Sequence, residues 1–274
     1  MSDAVPEFRH GDAPVSLGGG LAVGSARRTR FEVMVIVLVA VFVIGGIELA
    51  LRLFEVPEYI LPTPSAVAGA LVREFPLILP HLGYTLVSLG LGFSIGATVG
   101  LILAAVITQK PFVEKIVTPY VLALVTTPML ALVPLLILRF GFGYTPRVIA
   151  VALAVGPMVM INAATGFRRT DSAKVALARS YGASTLQIFW KVRAPMALPF
   201  ILVGLMIGSI FGLLTAVGAE MVGGGFGLGN RLTTYSSMIN MPEFFAVILI
   251  LSTLGILIYV AFFLIGRRWA SWET

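Results

Sequence analysis

Six apolar stretches dominate the sequence: Val33–Leu51, Leu82–Thr108, Ile116–Leu138, Val148–Phe167, Pro195–Ala219 and Phe244–Gly266. Each is close to the ~20 residues that an α-helix needs to cross a bilayer. In hydrocarbon every backbone N–H and C=O must be satisfied by protein, so spans of this length are helices. An all-α membrane protein with six transmembrane helices follows. Composition agrees: 58% of residues are hydrophobic and 12% charged, against about 25% charged in an ordinary soluble domain. Met1–Arg30 lacks hydrophobic periodicity and reads as a disordered tail. Residues 31–274 form the membrane domain.

Lysine and arginine set the orientation. With the N-terminus inside, fourteen of the 19 basic residues fall on the cytoplasmic side and five (Arg52, Arg73, Arg139, Arg147, Arg231) outside. That asymmetry predicts N-in, C-in and a multi-pass protein of the cytoplasmic (inner) membrane. The net charge of +6 is accounted for by topology, without nucleic acid. Thr63-Pro64-Ser65 opens a helix with proline in its first turn, and Val67, Ala70, Leu71 and Phe75 recur at helical spacing. This segment is expected to lie along the outer membrane surface as a short helix of its own.

The one long polar interruption, Thr170–Pro199, joins spans four and five. Thr170 is a candidate N-cap with Asp171 beside it at the positive helix end. Gly182 suits a left-handed C-cap. Ser184-x-x-Gln187 has capping-box spacing and starts a second helix, which Pro195 is expected to stop. A polar connector or a soluble DNA-binding helix pair has the same outline, but membrane spans flank this one.

The same residues resemble the cytoplasmic EAA loop of bacterial ABC-importer permeases: Glu-Ala-Ala, three residues, Gly, nine residues, then Ile-x-Leu-Pro. Ala176-Leu177-Ala178, Gly182 and Val192-Arg193-Ala194-Pro195 hold those places, with Ala176 for the glutamate and Ala194 for the leucine. Ala178-Arg179-Ser180-Tyr181-Gly182-Ala183-Ser184 is similar to the branch serving nitrate, sulfonate and taurine. Leu61-Pro62-Thr63-Pro64-Ser65, Pro134–Gly143 and Ala219-Glu220-Met221 with a later Gly-Leu-Gly extend the resemblance over most of the chain. It implies that the loop (residues 170–195) docks into an ATPase and transmits its movement. It also implies a second copy of the permease, two cytoplasmic ATP-binding subunits and an external solute-binding protein, with ATP and Mg on the ATPase and no cofactor on this chain.

Within the spans, Pro119, Pro128 and Pro134 crowd the third and free backbone carbonyls, which are tolerated where they line a cavity or meet neighbouring helices. Thr126, Thr127, Pro128 and Met129 are therefore candidate pathway residues, with Pro157, Met158 and Asn162 of span four and Glu220 after span five. Asn162 equally suits a bond between helices. Glu220 is read as a functional acid, a capping partner or an interfacial residue. Gly92, Gly96, Gly100 and Gly204, Gly208, Gly212 form two stripes that bring helices close, within one subunit or at a dimer seam. No lysine follows a glycine, so Walker A chemistry is absent, and the sequence has no cysteine. Gly223–Gly229 lacks the Gly-Lys-Ser/Thr ending of a phosphate loop and reads as a connector. The expectation is a non-enzymatic permease subunit importing a small solute by alternating access. Arg139, Arg147 and Arg231 near the outer face suggest an anion such as a sulfonate, taurine or nitrate; a pyrimidine precursor, an aromatic acid or a self-sufficient secondary transporter is the alternative.

Overall fold

The computed structural model describes residues 26–269. Most of the tail expected to be disordered lies outside them, but helix α1 (Ala26–Leu53) already begins inside its last residues. The chain divides into two units at Phe54. The first holds α1, where Arg52 Nε donates to Glu48 Oε1 one turn back at 2.7 Å. The second holds α2 (Pro64–Ile107), α3 (Pro111–Thr126), α4 (Met129–Phe140), α5 (Tyr144–Arg168), α6 (Ser172–Ser180), α7 (Thr185–Ile188), α8 (Ala194–Gly223), α9 (Leu228–Ser237) and α10 (Met241–Trp269). Five helices are long and apolar enough to span a membrane, and α3 with α4 forms a sixth, broken span.

Two glycine stripes decide how these helices assemble. A Cβ at Gly92 would meet Val151 Cβ at 2.5 Å, one at Gly96 would meet Ala152 O at 2.6 Å, and one at Gly100 would collide with Gly156 O. Both sets of numbers rise together, so α2 and α5 run parallel. Against the same Val151, Val155 and Val159 of α5 that α2 meets, Gly208 faces Val159 and Val155 and Gly212 faces Val155 and Val151, while Gly204 faces Asn162. Those numbers run in opposition, so α8 is antiparallel. Both stripes pack within the one chain.

Because α2 and α5 are parallel, the chain between them must return across the full thickness. α3 and α4 make that return with a 96° bend. Thr127 is extended (φ −78°, ψ 125°), as steric conflict with the following proline ring requires. Of the three prolines, only Pro128 breaks the helix; Pro119 and Pro134 lie inside α3 and α4. Pro128 has no N–H for Leu124 O, which instead shares the Thr127 N–H at 3.3 Å, while Thr126 Oγ1 and Thr127 Oγ1 add second donors to Leu122 O at 3.1 Å and Ala123 O at 2.7 Å.

Two expectations about segment ends are corrected. The helix opened by Pro64 does not stop short of the second span. It continues as the single 44-residue α2, through Pro76 and Pro80, and at 1.5 Å per residue it is about 66 Å long, twice a hydrocarbon core. Thr63 caps it, accepting from Ala66 N at 3.3 Å. Nor does Pro195 end the second connector helix. A π turn over Phe189–Arg193 joins α7 to α8, giving one helical track from Thr185 to Gly223. The wide turn lets Ala194 N–H reach Phe189 O, and Pro195 then sits in the first turn of α8, where a missing donor costs nothing.

The glycine contacts yield a graded expectation. Gly96→Ala pushes a methyl into the backbone of α5 and should cost ~1–3 kcal/mol, the usual range for overpacking. Gly208→Ala meets only Val γ-carbons, at 3.1 and 3.2 Å, and should cost less. Thermal unfolding of the purified protein in detergent checks the order; equal midpoints for both variants would remove the α2–α5 seam as the tighter contact.

Candidate functional site: an exposed lever, a broken span and a buried outer lock

The connector between α5 and α8 folds into two short helices, as its capping residues dictate. Asp171, one residue after the expected cap, accepts from Ala173 N at 2.8 Å, while Thr170 Oγ1 donates to Phe167 O and closes α5. Gly182 has φ +78°; its N–H bonds Arg179 O at 2.9 Å and Ala183 N–H bonds Ala178 O at 3.1 Å, a Schellman ending. Ser184 then starts α7 with both halves of a capping box: Gln187 N donates to Ser184 Oγ at 3.3 Å and Ser184 N to Gln187 Oε1 at 2.8 Å.

This hinge is anchored at one end only. Ile188 and Phe189 are buried, and Phe189 stacks at 5.0 Å on Phe167 of α5. α6 buries nothing: Ala176, Arg179 and Ser180 are exposed, Ala178 and Ala183 half-buried. Tyr181 is 83% exposed, and Leu177, Leu186 and Trp190 are exposed with it. An apolar surface of this kind at a polar helix pair marks a protein contact.

The break in the third span borders a cavity of about 310 Å³. Thr127, Pro128 and Met129 line it, with Met158 of α5 and Phe211, Leu214 and Thr215 of α8. Thr126 and Asn162 are not among the lining residues. Thr126 bonds its own helix, and Asn162 Nδ2 donates to Met158 O at 2.8 Å while its Cβ faces Gly204. Pro157 of span four lines the cavity as well, whereas Phe211, Leu214 and Thr215 carry no distinguishing sequence signal and form a wall only through the packing of α8.

Glu220 lies elsewhere, fully buried beneath the loop between α8 and α9. Its Oε2 accepts from Thr85 Oγ1 at 2.9 Å and from Gly229 N at 3.0 Å, and Thr85 Oγ1 accepts from Leu228 N at 2.9 Å. Gly227 N donates to His81 Nδ1 at 3.1 Å. Arg147, expected at the outer face as an anion lure, is 2% exposed. Its guanidinium donates to Phe226 O at 3.1 Å and Gly224 O at 2.5 Å and lies 3.9 Å from the Phe226 ring centre, so it is committed to holding this loop. The Gly-Leu-Gly signal has a steric basis: a Cβ at Gly227 would enter the Glu220 carboxyl, and one at Gly229 would strike Val217 O. The loop-holding roles of His81, Thr85 and Arg147 were not legible in the sequence because their partners are 77 to 146 residues away. Beyond the lock, Tyr235 on α9 donates to Glu74 Oε2 at 3.0 Å and Arg73 pairs with Glu243 at 2.8 Å. Burial, then the Glu74 bond, push the Tyr235 phenol up to about 12, which keeps it a donor. Among the described residues no three His, Asp or Glu side chains form a metal cluster.

A family model described as "Binding-protein-dependent transport system inner membrane component" matches residues 96–271. The formylaminopyrimidine transport permease protein ThiX of Halalkalibacterium halodurans is 30% identical over 215 residues, 78% of this chain and 86% of that one. The putative aliphatic sulfonates transport permease protein SsuC of Escherichia coli (strain K12) is 32% identical over 216 residues, 78% of this chain and 82% of that one. Among solved structures, an inward-facing form of the MetNI methionine ABC transporter superposes with a TM-score of 0.59 at 23% identity, over 73% of this chain and 96% of that one.

The lock makes its own prediction. Glu220→Ala strands the buried Gly229 N–H, while the Thr85 hydroxyl keeps His81 O at 3.2 Å as an acceptor, and should cost ~1–3 kcal/mol. Glu220→Gln keeps an accepting oxygen and should cost less. A thermal midpoint unchanged by the alanine variant would show that the carboxylate does not hold the loop.

Proposed function

Because the chain belongs to the binding-protein-dependent transport system inner membrane component family, and is the permease subunit of an ABC importer, we propose that α6 and α7 receive the stroke of cytoplasmic ATPase subunits and pass it to the cavity at Pro128. One observation carries this reading. α7 is continuous through the π turn with α8, and α8 contributes Phe211, Leu214 and Thr215 to the cavity wall. A push on Leu186 therefore has a helical path to the passage, and one on Leu177 or Tyr181 of α6 joins it through the turn at Gly182. ATP and Mg stay on the ATPase pair, a second copy of this permease completes the pathway, and an external binding protein delivers solute. This chain contributes Ala176, Ala178–Ser184 and the cavity residues, and no bond-breaking chemistry.

The solute proposed first is a small anion of the sulfonate, taurine or nitrate kind. The cavity has no charged wall; its polar side chains are Thr127 and Thr215. That supports a passage with little affinity of its own, selectivity resting with the binding protein. It also favours a second reading, a neutral pyrimidine precursor, in keeping with the name of the ThiX relative.

Two variants in one assay separate lever from passage. Gly182→Val forces a β-branched residue to φ +78°, a strain of ~1–3 kcal/mol, and should lose both ATPase co-purification and uptake in reconstituted vesicles. Met129→Trp should keep the ATPase and lose uptake. Wild-type behaviour of the first removes the lever from this loop; wild-type uptake by the second moves the passage.

The basic-residue asymmetry supports N-in, C-in. α8 and α10 are antiparallel, since Gly255 nears Leu213 and Gly266 nears Leu202, so Arg267 and Arg268 share an end with the lever. In sealed cells an impermeant maleimide should label Ser236→Cys and leave Ser172→Cys untouched; labelling at position 172 would invert the orientation.

A further inference from the structure

We propose that the base of the lever carries a binding site for a phosphoryl group, filled by the headgroup of an anionic membrane lipid. A second cavity, of about 150 Å³, lies where α6, α7 and the π turn meet the end of α2. It is lined by Thr108, Gln109, Arg179, Thr185, Ile188, Phe189 and Arg193. Its two arginines come from separate elements, α6 and the π turn, and neither has a carboxylate partner among the described residues, whose ion pairs are Arg52–Glu48, Arg73–Glu243 and Arg168–Glu114. Arg193 Nε is buried with no hydrogen-bond partner. A guanidinium N–H withdrawn from water without an acceptor is costly, and an anion is what satisfies it.

The rest of the lining suits an oxyanion. The last carbonyls of α2 carry the negative end of its dipole, but they are covered: Thr108 Oγ1 donates to Ala104 O at 2.8 Å and Gln109 Nε2 to Ala105 O at 3.0 Å. Thr185 also lines the cavity and carries a hydroxyl that can donate. Two guanidinium groups with a hydroxyl match the several oxygens of a phosphoryl group, which arginine binds through paired N–H bonds.

Position favours a lipid over a free ion. The floor is the buried pair Ile188 and Phe189, at the point where the helical track enters the apolar α8. Trp190, stacked edge-on to Phe189 at 5.4 Å, is 65% exposed, and exposed tryptophan belongs to the membrane–water boundary. Basic pockets between membrane helices at that level take anionic headgroups. A headgroup here would brace the lever at its pivot, so lipid charge would set how firmly the π turn is held. Of its residues only Arg179 also belongs to the stretch proposed to meet the ATPase; Arg193 and Thr185 do not.

Native mass spectrometry of the full-length protein, purified in dodecyl maltoside and titrated with phosphatidylglycerol or phosphatidylcholine, tests it. Wild type should hold phosphatidylglycerol about tenfold more tightly, as expected for charge-assisted hydrogen bonds. Arg193→Gln should abolish the preference and Arg193→Lys keep part of it. Thr185→Val, at an exposed position that cannot disturb folding, should reduce it about threefold, as loss of a single hydrogen bond does. Displacement of phosphatidylglycerol by millimolar inorganic phosphate in wild type but not in Arg193→Gln would keep the phosphoryl site and assign it a soluble ligand. Equal retention of both lipids by wild type with no effect of phosphate, or a lipid preference untouched by Arg193→Gln and Thr185→Val, overturns the proposal.

Discussion

The structure depends on the grip of two glycine stripes on α5. In lipid no hydrophobic force draws apolar helices together, so close van der Waals contact must hold them. Gly92, Gly96 and Gly100 bring α2 against α5, and Gly204, Gly208 and Gly212 bring α8 against it, so that Val151, Val155 and Val159 are shared by both contacts. The parallel sense of the first contact obliges the chain to cross back through α3 and α4. The antiparallel sense of the second returns α8 from the lever to the outer loop. Loosening either seam would leave the remaining helices without a common reference.

Around this clasp the two ends of the bundle are built on opposite terms. The end at the α8–α9 turn is buried and polar: Glu220, Arg147, Thr85 and His81 hold residues 224–229 by side-chain bonds to their backbone. Those backbone groups meet Arg147 and one oxygen of Glu220, whose Oε1 has no partner. The end at α6 and α7 is exposed, anchored by the buried Ile188 and Phe189, the latter 5.0 Å from the tilted ring of Phe167.

Pro128 stands between them. Its ring forces Thr127 out of helix and removes the donor that Leu124 O would have had; the Thr127 N–H, shared with Ala123 O, reaches that oxygen at 3.3 Å. The break thus borders a cavity while the carbonyl it frees keeps a donor. The π turn at Phe189–Arg193 solves a related problem at Pro195 by shifting the hydrogen-bond register rather than interrupting the helix.

Much of this was legible locally. Length and hydropathy determine the spans, because a bilayer leaves a long apolar segment no other solution. Capping chemistry determines the lever: the roles of Gly182, Ser184 and Gln187 follow from backbone geometry over three or four residues. The loop resemblance lies in the same short stretch. Tertiary structure decided what depends on distant partners. The identity of the face each glycine stripe meets, the commitment of Arg147 to the turn at Gly224–Phe226, and the removal of Glu220 from the pathway all rest on contacts tens of residues or more apart. So do the continuation of α2 and the survival of the helix past Pro195, where the neighbouring register outweighed a rule about single residues. Local sequence specifies which backbone groups need partners; only packing selects the partners they obtain.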